Sequence, residues 1–63
     1  MEQERIGKAL IELVHLEILL ADGKHNEDIE NLVKIENDLM FRLSQENRIK
    51  FLAWKADKLL AQA

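Results

Sequence analysis

Five side chains near the end of this 63-residue chain have types and spacing suited to macromolecular recognition: Phe51 and Trp54, interleaved with Arg48, Lys55 and Lys58. Guanidinium and ammonium groups meet phosphates or carboxylates, while aromatic rings stack on bases or anchor in a protein groove. At about 100° per residue, Ile49, Leu52, Ala53, Ala56, Leu59 and Leu60 share one helix face, which is expected to be the core side. Phe51 and Trp54 fall on the far side, among Arg48, Lys50, Lys55 and Lys58. That far side is expected to pack on surplus apolar surface elsewhere in the assembly, or to receive a partner. A protein partner is favoured, with nucleic acid as the alternative.

Other chemistry has little to work with. Cysteine, threonine and tyrosine are absent, so Ser44 is the only hydroxyl nucleophile, and its place before Gln45-Glu46-Asn47 reads as a helix cap. No glycine-rich phosphate loop or dinucleotide fingerprint occurs, so neither an enzyme nor a cofactor is expected. The one metal-ligand spacing is Glu12-x-x-His15, the i, i+3 pair that carboxylate-bridged bundles use together with single glutamates from other helices. Glu17 and Glu36 stand in otherwise apolar arcs, where a carboxylate needs a partner or a shifted pKa. Glu12 and His15 lie on the polar stripe, however, away from Glu17. No metal site is therefore expected, and Glu17 and Glu36 are expected to pair with basic groups from a neighbour.

These residues have to be positioned by a very small body. A chain this short builds a core that is only marginally sufficient, and it usually adds disulfides, a structural metal or self-association. With no cysteine and only His15 and His25 as nitrogen ligands, self-association remains, a dimer being favoured. Hydrophobic residues make up 48% and charged residues 33%, and no apolar run approaches the ~20 residues of a membrane span. The start, Met-Glu-Gln-Glu-Arg, is not that of a secretory signal, so a cytoplasmic location is the expectation. The net charge of −3 is unevenly spread: residues 1–41 carry four basic and ten acidic side chains, residues 42–63 five basic and two acidic. Such a split suits self-association or an anionic partner at the C-terminal end.

Apolar periodicity predicts an all-α chain of two or three helices, forming one domain over residues 1–63. The first helix is expected at about residues 3–21, a loop at about 22–26, and further helices at about 27–43 and 45–61. Gly23 is expected to end the first helix in the left-handed conformation, and Asn26 to cap the second. Gly7 inside the first helix suggests a close helix–helix approach. The first helix is apolar round most of its circumference, so more than one neighbour should cover it. Ile11, Val14 and Ile18 on that helix, with Leu39 and Leu43 on the second, are the expected oligomer interface. Whether residues 27–61 form one helix or two turns on Ser44 and on a slip in the apolar register, which favour a break.

The turn Ala21-Asp22-Gly23 resembles that of tellurite-resistance TerB-type helical domains, in which acidic residues near the turn bind metal. The likeness covers fewer than ten residues, and a helix C-cap followed by a polar turn accounts for them. In size and hairpin-like start the chain is also similar in architecture to Rop-type plasmid copy-number regulators, dimeric four-helix bundles that bind RNA; no motif is shared. The expectation is a non-enzymatic, self-associating regulator or adaptor that binds another protein, of a make-up suited to an accessory protein of a phage or mobile element. A nucleic-acid-binding regulator stands second and a carboxylate metal bundle third.

Overall fold

The computed structural model describes residues 1–62, which form three helices: α1 (Glu2–Leu19), α2 (Asn26–Met40) and α3 (Gln45–Gln62). They pack as a small all-α bundle of 35 × 22 × 15 Å, and α1 contacts both α2 and α3. The central place of α1 follows from its sequence. Ile6, Leu10 and Val14 recur every four residues, and all three are buried.

The connections are made by specific groups. Past Leu19, the Leu20 N–H bonds back to the Leu16 carbonyl at 3.0 Å and the Ala21 N–H to the Ile18 carbonyl at 3.2 Å. Gly23 then reverses the chain at φ +82°, a conformation that costs a residue with a Cβ. Asp22 organises the rest of the turn: its Oδ1 accepts from the Lys24 N–H at 2.8 Å and lies 3.0 Å from Nδ1 of His25. Asn26 is the first residue of α2 and not its cap, because Asp22 has already folded the turn back.

A second turn over residues 41–44 separates α2 from α3. Ser44 opens α3 by accepting the Asn47 N–H on its Oγ at 3.3 Å. The last carbonyls of α2 have no basic side chain in their own final turn. Arg48 supplies one from α3, donating from Nε to the Met40 carbonyl at 3.1 Å and from Nη2 to that of Leu43 at 3.4 Å. Gln3 ties the start of α1 to this turn. Its Nε2 donates to the Arg42 carbonyl at 2.9 Å, while its Oε1 accepts from the Ser44 N–H and from Nδ2 of Asn47, each at 3.0 Å.

The core consists of Ile6, Leu10, Val14, Leu43 and Phe51, with Ile18, Leu39, Met40 and Trp54 packed against it. This corrects the expected oligomer interface. Val14 and Leu43 are buried within the single chain, Ile18 and Leu39 pack on the same core, and only Ile11 is exposed, at 38%. The third helix corrects a larger expectation. Its inward side carries Phe51 and Trp54, whereas Ile49, Leu52, Leu59 and Leu60 face outward.

Gly7 does not mark a close approach either: a Cβ built there meets no atom within 4 Å. Exchanging glycine for alanine inside a helix is worth about 1 kcal/mol where nothing clashes. Gly7→Ala is accordingly expected to raise the melting temperature by about 4–8 °C, a shift that thermal denaturation followed by circular dichroism will read.

Candidate functional site

Three ionisable groups, one from each helix, meet inside the bundle. Lys55 of α3 places its Nζ 2.7 Å from Oε1 of Glu36 on α2 and 3.5 Å from Oε1 of Glu17 on α1. Glu36 is fully buried and Glu17 is 9% exposed. Oε2 of Glu36 and Oε1 of Glu17 have no hydrogen-bond partner among the described residues, so one ammonium group serves two carboxylates. Burial pushes the Glu36 carboxyl above its ordinary range and Glu17 pushes it further, against the opposing pull of Lys55. Burial alone would lower Lys55, but its hydrogen bond to Glu36 and the negative charge of both glutamates outweigh that and hold it above the ordinary lysine value. Both glutamates do pair with a basic group, as their apolar surroundings require, and that group comes from the same chain.

A raised carboxyl pKa in the fold has a definite consequence for pH. Glu36 binds its proton more tightly folded than unfolded, so its contribution to stability is complete below the unfolded value and is lost as pH rises through the folded one. Glu36→Gln removes that loss. The amide oxygen can still accept from Lys55, and the amide nitrogen can donate to Glu17. The variant is expected to have the higher urea midpoint at pH 7.5, with the difference shrinking toward pH 4. Paired denaturation curves at the two pH values measure it.

The basic and aromatic residues singled out in the sequence are brought together, but largely for the fold's own use. Phe51 is buried in the core, and Trp54 lies half-buried beside it at a ring separation of 6.1 Å. His15 of α1 meets Trp54 edge-on at 5.9 Å, and the Lys58 ammonium lies 5.8 Å from its centroid. Arg48 is tied to α2 carbonyls and Lys55 to Glu36. Of the five residues expected to receive a partner, only Lys58 is freely exposed, and it is drawn over Trp54. An open groove of about 340 Å³ runs beside them between α1 and α3, lined by Gly7, Ile11, Phe51 and Trp54 with Glu4 and Lys50 at its rim.

Apolar side chains remain exposed along the outer face of α3, besides Leu16, Leu19, Ile35 and Phe41 elsewhere. Ile49 is 60% exposed, Leu52 46%, Leu59 41% and Leu60 73%, with exposed Ala53 and Ala56 between them. Glu12 lies exposed on α1, His15 is engaged with Trp54, and Glu17 and Glu36 turn to Lys55. Among the described residues no group of three or more His, Asp or Glu side chains is placed to hold a metal ion. Nor is any described helix long and apolar enough to cross a membrane. The roles of Gln3 and Arg48 are not legible in the sequence, since a side chain that bonds a distant backbone carbonyl leaves no periodic trace. No family model, curated protein or solved structure matches this chain.

Proposed function

We propose that this chain is a non-enzymatic interaction module that self-associates through the outer face of α3 and, so assembled, docks on another protein in a cytoplasmic setting. The observation that carries the reading is the orientation of that helix. Within a 63-residue chain, α3 turns its two aromatics, Phe51 and Trp54, inward and leaves Ile49, Leu52, Leu59 and Leu60 in water on one contiguous strip. Single exposed leucines are ordinary, whereas a strip of them along one helix marks an interaction surface. The alternative, a nucleic-acid-binding regulator, finds less support. Arg48 and Lys55 are occupied internally, and Phe51 is not presented for stacking on a base.

Sedimentation equilibrium from 1 to about 200 μM tests self-association, with Leu52→Lys as its comparison. Wild-type chain is expected to assemble with rising concentration, while Leu52→Lys stays folded and monomeric. A wild-type chain that is folded and monomeric throughout overturns the self-associating part of the proposal.

A further inference from the structure

We infer that two copies pair α3 against α3 in antiparallel fashion, about a two-fold axis passing between Ala53 and Ala56. The inference rests on the self-association proposed above and names its geometry. Three features of the outer face point to it.

The first is shape. Small residues, Ala53 and Ala56, occupy the middle of the strip, with Ile49 and Leu52 toward one end and Leu59 and Leu60 toward the other. Interaxial distance is set by the side chains at the crossing, so alanines there let two backbones approach closely. An antiparallel partner then sets Ile49 beside Leu60 of the second copy, and Leu60 beside Ile49 of the second copy. Large residues fill both ends of the contact.

The second is charge. Glu46, Lys50 and Asp57 project from one edge of the strip, within about 40° of each other at 100° per residue. The other edge carries Arg48 and Lys55, which are held by the Met40 carbonyl and by Glu36. When two helices pair antiparallel, like edges meet. Lys50 then faces Asp57 of the second copy, and the symmetry axis makes the pair twice. In parallel pairing unlike edges meet, and Lys50 faces a row whose cations are already spent. Lys50 is 71% exposed even while it lies 3.3 Å from Glu46, so it is free to bridge outward.

The third is closure. A two-fold contact uses the same patch on both copies and leaves no strip uncovered, whereas a head-to-tail contact would expose one at each end and propagate. Ile49, Leu52 and Leu60 stand exposed on this face, while Leu59 at its edge also borders a pocket with Ile18 of α1 and Ile29 of α2.

The chain has no cysteine, which makes orientation directly readable. Ile49→Cys and Leu60→Cys are prepared separately, mixed, and oxidised at a concentration where wild type is assembled. A mixed disulfide at least tenfold more abundant than either like pair is expected. Predominant like pairs of Ile49→Cys mean a parallel contact and overturn the inference. An assembled wild type with no crosslink of either kind places the interface elsewhere and overturns it too, while self-association itself stands. A monomeric wild type overturns both. Charge exchange provides the second measurement. Asp57→Lys is expected to raise the dimer dissociation constant at least fivefold, and adding Lys50→Asp to restore it; failure of the double variant to recover counts against the antiparallel register.

Discussion

Replacing Lys55 with methionine is expected to cost about 3–5 kcal/mol, close to the entire stability a single core of this size can supply. The magnitude reflects the charges that the substitution leaves behind. Among the described residues, Lys55 Nζ is the only cation within reach of Glu36, at 2.7 Å, and of Glu17, at 3.5 Å, and both carboxylates are out of water. Removing one member of a buried ionic group strands the rest, whereas removing all the charges together can be neutral or better. Lys55→Met should therefore leave the chain largely unfolded at neutral pH and 25 °C by circular dichroism. Adding Glu17→Gln and Glu36→Gln to it should recover most of the helical signal. A Lys55→Met protein that melts within a few degrees of wild type would show that Glu17 and Glu36 are not enclosed as described.

The second large effect separates two adjacent residues. Phe51→Ala empties a core position and is expected to cost about 3–5 kcal/mol, at any protein concentration. Leu52→Ala removes a side chain that is 46% exposed, and it is expected to cost under about 1 kcal/mol in the isolated chain. Any larger loss at Leu52 should appear only where the chain is assembled, and should vanish on dilution. Urea denaturation of both variants at 1 and 100 μM makes the comparison. Equal, concentration-independent losses at the two positions would mean that α3 is rotated from the orientation described.

That rotation is where reading the sequence and seeing the structure part company. Counting apolar positions puts Ile49, Leu52, Leu59 and Leu60 inward, because the widest apolar arc of a helix normally seeks the core. The bundle presents the opposite face to α1. Rings bury more area per residue than aliphatic side chains. The same rotation also carries Lys55 to Glu36 and Glu17, which would otherwise be buried without a cation. The clue was present in two carboxylates set in apolar arcs and one lysine beside the aromatics. Connecting them required knowing which helices adjoin.

Local features were legible because their causes are local. An apolar repeat, a glycine that tolerates positive φ and a serine that caps the next helix act within a few residues of themselves. They determine an all-α chain with turns near Gly23 and Ser44, and a first helix apolar enough to need two neighbours. Only the tertiary structure decided which face of α3 turns inward, that Arg48 closes the end of α2, and that Gln3 clasps the second turn. Each of these joins residues far apart in the chain or on different helices. Lys55 shares the face of α3 that carries Phe51 and Trp54, so turning that face inward also gives the buried Glu17 and Glu36 the cation that burial makes costly to lack.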